Sequence, residues 1–136
     1  DGLLGLGYSV SYTTEPTLVK SLDSPIVKVS LSNNHCISLD SQRNVYTWGT
    51  GKYGELCLSQ RIYCPEPTKI EFLNEFSSVS CSDYISCLID TAGKFSYFGI
   101  IVNLSTEMNE CNKLKVLQAK MNSSALTPSN SNVQYN

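Results

Sequence analysis

The chain has 136 residues, the size of one ordinary domain, with 10 basic and 12 acidic side chains and a net charge of −2. That near-balance argues against nucleic-acid binding by bulk electrostatics, which needs a basic surplus or stripe, and it is too mild for an acidic tail. With 41% apolar and 16% charged residues the composition is globular rather than disordered, and no apolar run approaches the roughly 18 residues of a membrane-spanning helix. The sequence opens at Asp1 with no basic-then-apolar leader, so no signal peptide is expected. It reads as a piece of something longer.

The first feature in chain order is Gly2-Leu3-Leu4-Gly5-Leu6-Gly7. A dinucleotide loop has the order GxGxxG between a strand and a helix. Here the order is GxxGxG and no helical pattern follows, so a turn using positive φ is the expectation. Glu15 to Val19 reads as a short strand after Pro16, since Pro is tolerated at a strand start. Val27, Val29 and Leu31 alternate with Lys28 and Ser30, the period-2 pattern of a half-buried strand. Asn33-Asn34 makes a turn, because Asn tolerates left-handed backbone angles. His35, Ile37 and Leu39 alternate again. Asp40 to Asn44 turns the chain into Val45-Tyr46-Thr47-Trp48, a strand rich in β-formers.

The same order then recurs. Val27 to Gly49 aligns without a gap on Ser77 to Gly99 at a shift of 50, carrying Val29, Ser30, Ser32, Asp40 and Gly49 onto Val79, Ser80, Ser82, Asp90 and Gly99. Glu15-Pro16-Thr17 aligns on Glu66-Pro67-Thr68 at a shift of 51, and Gly2 to Leu6 on Gly54 to Leu58 at a shift of 52. A fainter third start, Glu110 to Leu117, echoes the Glu66 block. The second unit has its turns at Ser82-Asp83 and Thr91 to Lys94, and its strands carry Val79 and Cys81, then Ile85, Cys87 and Ile89, then Phe95 to Phe98. A unit of about 50 residues with about four short strands is one blade of a β-propeller. The expected fold class is therefore all-β, about two blades at 1–49 and 50–99. Residues 100–120 are expected to start a third blade or form a short helix, and the Ser- and Asn-rich residues 121–136 to be a flexible tail. Val29, Leu31, Ile37 and Leu39 are expected to be buried like Val79, Cys81, Ile85, Cys87 and Ile89.

Trp48-Gly49-Thr50-Gly51-Lys52-Tyr53-Gly54-Glu55-Leu56-Cys57-Leu58 resembles the signature of the regulator of chromosome condensation repeat, in which Trp-Gly precedes a polar turn and a Gly-Gln-Leu-Gly-Leu-Gly stretch. Gly2 to Gly7 is similar to the end of that signature, and Val29 to Leu39 to its Val-x-Cys-Gly-x-x-His-Thr-x-x-Leu stretch, with Cys81 on the Cys position. Ser32 and Ser82 replace the family Gly, Cys57 replaces another, and Phe98-Gly99 stands for Trp-Gly. The resemblance covers residues 1–99 and implies a seven-bladed propeller, of which this chain is an arc.

Catalytic candidates are weak. His35 is the sole histidine. Its neighbour Cys36 points to the opposite strand face, and Ser38 lies at the same wrong parity, so neither makes a nucleophile–base pair with it. His35 shares the parity of Ile37 and Leu39 and is expected to be packed and hydrogen-bonded. Asp40 and Asp90 recur just before turns, which indicates capping rather than acid–base work. Trp48 and Phe98 recur as repeat core. Cys36, Cys57, Cys64, Cys81, Cys87 and Cys111 include no CxxC pair, so free thiols are expected rather than disulfides or zinc. Free thiols point to a reducing compartment, cytoplasm or nucleus. Two glycosylation sequons, at Asn103 and Asn122, carry no weight without a leader.

No catalytic, cofactor-binding or metal-binding residue and no cofactor is expected. The expected function is a non-enzymatic scaffold offering loops to a protein partner, which includes other chains of an assembly. The family resemblance adds two alternatives: an exchange factor or regulator of a small GTPase, and an accessory domain of a larger enzyme such as a ubiquitin ligase or kinase. No membrane partner is expected.

Overall fold

The computed structural model describes residues 2–100 except 60 and 73. Seven strands, β1 (Ile26–Leu31), β2 (His35–Asp40), β3 (Val45–Thr50), β4 (Tyr63–Lys69), β5 (Phe76–Ser82), β6 (Ile85–Asp90) and β7 (Phe95–Gly99), form two antiparallel sheets. The first has the order β1-β2-β3-β4 and the second β5-β6-β7. Each is a meander built from hairpins, as the alternating strands and short polar turns dictate. Even the irregularities repeat at 50 residues: the β1–β2 pairing slips between Ile26 and Lys28, and β5–β6 between Phe76 and Ser78.

Directly paired residues share a face, so the register assigns each side chain to a side. Val29 pairs with Ser38 and Ser38 with Tyr46, while Leu31 pairs with Cys36 and Cys36 with Trp48. These line one face of the first sheet. Ser30, His35, Ile37, Leu39 and Val45 line the other. The second sheet stacks on that other face, with β5 against β1 and β2. Ile37, Leu39, Val45 and Ile70 form one buried cluster with Phe76, Val79, Cys81 and Leu88. Ile85, Cys87 and Ile89, one period after His35, Ile37 and Leu39, form a second cluster with Phe95 on the far side.

Two expectations need correction. Val29 and Leu31 are 50% and 66% exposed, whereas their counterparts Val79 and Cys81 are 0% and 7% exposed. The reason is directional stacking: each sheet buries this face against the sheet before it, and none of the described residues precedes the first sheet as another sheet. Glu15 to Val19 is also no strand. Its counterpart, Glu66 to Lys69, lies in β4 because β3 is there to pair with it, Thr47 with Thr68 and Tyr46 with Lys69. The expected third unit at 100–120 and tail at 121–136 lie outside the described residues.

The Trp-Gly and Phe-Gly steps have a steric cause. Gly49 and Gly99 sit at φ +107 and +100. A Cβ on Gly49 would lie 2.5 Å from the Asn34 carbonyl oxygen, and one on Gly99 would overlap the Tyr84 carbonyl. Both glycines let β3 and β7 cross close to the preceding hairpin loop.

Candidate functional site

Polar groups concentrate at the seam between the sheets. His35 is fully buried, and its Nε2 lies 2.7 Å from the Ser86 hydroxyl. Ser86 is itself buried and donates to the Glu55 carbonyl at 2.7 Å. Its single proton is thereby committed, so His35 must carry its own proton on Nε2 and donate to Ser86. Nδ1 is then the unprotonated nitrogen, 3.1 Å from the Ser32 hydroxyl, which donates to the His35 carbonyl at 2.9 Å. Burial pulls the imidazole from 6.5 down to about 4, the Asp83 carboxylate opposing only in part. His35 is therefore neutral near pH 7. It clamps the first sheet to the second and to the Gly54–Leu58 turn.

The expectation of a packed, hydrogen-bonded His35 holds. Its partner Ser86 was missed, because 51 residues separate them; the only signal was that Ser86 occupies the repeat position of Cys36. A His–Ser contact also invites a nucleophile–base reading. The geometry opposes it, because the hydroxyl points its proton away from the imidazole and both side chains are sealed from solvent.

The two recurring aspartates close turns. Asp40 accepts from the backbone of Gln42 and Asn44 at 2.9 and 2.8 Å and from the Asn44 amide at 2.8 Å. Burial works to raise its pKa, but these bonds and the Tyr46 hydroxyl outweigh it and hold the carboxyl below the ordinary range. Asp90 accepts from the Lys94 backbone at 2.8 Å and from the Asn74 amide at 3.1 Å. Both are capping residues, as their recurrence indicated. The Gly2–Gly7 segment is a turn with Gly2, Gly5 and Gly7 at positive φ. Its Leu3 carbonyl accepts the Trp48 indole N–H at 2.9 Å.

Cys36, Cys57, Cys64, Cys81 and Cys87 are free thiols. Burial, with Cys81 nearby, pushes Cys36 up to about 12, and burial pushes Cys81 up to about 11. Both stay protonated and unreactive near neutral pH. Cys81 pairs with Ser86 and Cys87 with Ser80, which puts their sulfurs on opposite faces of one sheet, out of bonding reach. Among the described residues no group of three or more acidic, His or Cys side chains is placed to hold a metal ion.

The loop end of the seam is the accessible part. Asp83 accepts from the Asn33 backbone and amide, each at 3.0 Å, and its own carbonyl accepts the Asn34 amide at 3.0 Å. Tyr53 and Tyr84 meet edge-to-face at 5.6 Å. With Asn34, Thr50, Lys52 and Glu55 these tyrosines line a cleft of about 170 Å³.

Two stacked antiparallel meanders related by an ungapped shift of 50 residues define the class: an arc of a β-propeller. The regulator of chromosome condensation (RCC1) repeat matches residues 44–89 and, in a second form, residues 26–55. The chain thus carries diverged, partial RCC1 repeats. It is similar to the serine/threonine-protein kinase Nek9 of Xenopus laevis, 32% identical over 121 residues, and to the human E3 ubiquitin-protein ligase HERC2, 33% identical over 103 residues. Those matches cover 86% and 72% of this chain but only 12% and 2% of the kinase and the ligase. Among solved structures, Prp20p of Saccharomyces cerevisiae, described with its binding to Gsp1p and histones, superposes at a TM-score of 0.63. That match has 24% identity and covers 72% of this chain and 26% of that one. It shows the fold. No helix among the described residues is long and apolar enough to cross a membrane.

Proposed function

We propose that this chain is a non-catalytic protein-interaction segment, an arc of a propeller that presents its loop end to a protein partner. The observation that carries this reading is the division of labour in the polar groups. His35, Asp40, Ser86 and Asp90 are all buried and hold turns and the seam. Lys52, Tyr53, Asp83 and Tyr84 are held in place by that frame yet remain at least partly accessible. Tyrosines on a rigid support are favoured contact residues, because they bring large area at low entropy cost. The length of the kinase and ligase relatives favours an accessory role inside a larger polypeptide, working in cytoplasm or nucleus, where buried thiols stay reduced.

The test measures two things with the protein in its full polypeptide. Tyr53→Ala with Tyr84→Ala is expected to weaken capture of a bound partner protein by about tenfold or more without lowering the melting temperature by more than a few degrees. Nucleotide release from a small GTPase such as Gsp1p is expected to be unchanged by the protein. Accelerated release would replace the scaffold reading with that of an exchange factor. Unaltered capture by the double variant would move the contact surface elsewhere.

A further inference from the structure

The loop end that carries Tyr53 and Tyr84 also gathers exposed charge of one sign. The register of β3 and β4 pairs Gly49 with Cys64 and Thr50 with Tyr63. The Gly51 N–H then donates to the Ile62 carbonyl at 2.9 Å, which extends the pairing one place beyond both strands. Lys52 and Arg61 are the next residues on either side, so they stand opposite each other where the connecting loop leaves the sheet. Alternation puts them on the side of Thr50 and Tyr63, and Thr50 and Lys52 do line one cleft with the two tyrosines. Lys52 and Arg61 are both exposed.

Like charges opposed across a pairing are unfavourable unless an opposite charge lies between them. The carboxylates of this loop end are turned elsewhere. Glu55 is 2% exposed, and its Oε2 accepts the Tyr53 N–H at 2.7 Å. Both carboxylate oxygens of Asp83 are taken up by Asn33. Among the described residues the only ion pair joins Arg43 to Glu75, at the other end of the sheets. The loop end thus offers two cations to solvent beside aromatic surface and keeps its anions inward.

We infer that the Lys52–Arg61 pair and the Tyr53–Tyr84 cleft form one docking site for an acidic protein segment, with an Asp or Glu carboxylate of the partner seated between the two cations. This assignment rests on the loop-end reading proposed above and adds the chemistry of the partner. A carboxylate is planar, and its two oxygens match one cation from each side, the guanidinium supplying a fork of donors. The methylene stem of a Glu and an apolar neighbour fill the cleft of about 170 Å³ against the tyrosine rings. A phosphate group has three strong acceptor oxygens and is ordinarily met by an Arg cluster, whereas this site holds one Arg and one Lys. A nucleic acid needs a basic stripe, and the chain carries a net charge of −2.

The test uses the full polypeptide and a short fluorescent peptide of Glu and Gly around one central Leu, with a counterpart in which Gln replaces every Glu. Anisotropy at fixed ionic strength is expected to show the Gln peptide binding about tenfold or more weakly than the Glu peptide. Lys52→Gln with Arg61→Gln is expected to weaken the Glu peptide by about the same factor without lowering the melting temperature, because it also removes a like-charge contact. Added salt is expected to weaken the Glu peptide in the wild type and much less in that double variant. Lys94→Gln, the same loss of charge in a turn at the other end, is expected to leave binding unchanged. Absence of saturable Glu-peptide binding overturns the inference, and so does equal affinity for the Gln peptide or for the Lys52 and Arg61 variant. Equal weakening by Lys94→Gln overturns it in favour of bulk charge. A phosphoserine version bound more than about tenfold tighter through the same two residues would replace the acidic segment by a phosphorylated one. These readouts concern charge alone, so they can fail while Tyr53 and Tyr84 still capture a partner. If instead Tyr53→Ala with Tyr84→Ala alters neither capture nor Glu-peptide binding, it is the loop-end reading that fails.

Discussion

The Ser86 hydroxyl donates to the Glu55 carbonyl at 2.7 Å, and one period earlier the same carbonyl position, Leu3, is served at 2.9 Å by the indole of Trp48 instead. The two donors come from different strands of the unit, Trp48 from the third (β3) and Ser86 from the second (β6). Trp48 pairs with Cys36, and Phe98 pairs with Ser86, so each unit has one strong donor in a cross-strand pair: indole with thiol in the first, hydroxyl with phenyl in the second. Cys36 adds only a long sulfur contact of 3.8 Å to Leu3. Trp48→Phe is therefore expected to cost about 1–2 kcal/mol, because a partly buried carbonyl loses its main donor. Adding Cys36→Ser recreates the second unit's pair in the first and is expected to restore at least half of that loss. Urea denaturation of the single and double variants measures it. A double variant less stable than Trp48→Phe alone would show that the two donors are not interchangeable.

His35 gives the seam a defined pH response. The unfolded chain takes up the imidazole proton near 6.5, the folded chain only near 4. Between those values the unfolded state binds more protons, so stability is full above about pH 6.5, falls as pH drops and has lost this contribution below about pH 4. The span corresponds to about 3 kcal/mol. Asp40, whose pKa is lowered from 3.8, acts in a separate and lower window: its contribution is present above 3.8 and lost as pH falls through the depressed folded value. His35→Gln is expected to be less stable at pH 7 yet flat between pH 6.5 and 4. Denaturant midpoints across that range decide, and a wild-type midpoint that stays level there would contradict the burial of a neutral imidazole.

Much of this fold was legible because the repeat keeps its parity. The ungapped shift of 50 located β1 with β5, β2 with β6 and β3 with β7, and recurrence alone identified Asp40 and Asp90 as turn caps. What the repeat could not say is which copy has a neighbour. Val29 and Val79 are the same residue in the same pattern, yet one is half exposed and the other sealed. Alternation reports which face a side chain is on, whereas burial depends on what packs there. Glu15 to Val19 fails for the same reason, since a fourth strand without a third has nothing to pair with. Asp83 and Tyr84 fall on the repeat's Asn33-Asn34 turn and Tyr53 within the Trp48–Leu58 stretch, but alternation does not say that they meet, and their proximity was visible only once the seam was assembled.

Gly49 separates a steric demand from a conformational one. Gly49→Ala meets both a positive φ and a carbonyl oxygen 2.5 Å from the new Cβ. Gly54 has φ +90 but nothing within 4 Å of its Cβ position. Gly54→Ala is expected to cost about 1–2 kcal/mol from backbone strain alone. Gly49→Ala is expected to exceed about 3 kcal/mol, because the β1–β2 loop must move as well. Equal losses in thermal unfolding would mean that the loop yields freely and that β3 does not need its close crossing.

Leu31 and Cys81 occupy equivalent positions on equivalent strands, so the same charge placed at each isolates the effect of a neighbour. At 66% exposure Leu31→Asp removes little buried area and is expected to change the stability of this chain by less than about 0.5 kcal/mol. Cys81, 7% exposed, sits in the cluster with Ile37, Leu39 and Val79. Cys81→Asp would place a carboxylate there with no cationic partner, at an expected cost of about 4 kcal/mol or more. Thermal melts with sedimentation at one concentration give both numbers. If Leu31→Asp unfolded the chain as Cys81→Asp does, the β1 strip would be covered in the isolated chain after all, and the directional stacking of the two sheets would have to be redrawn.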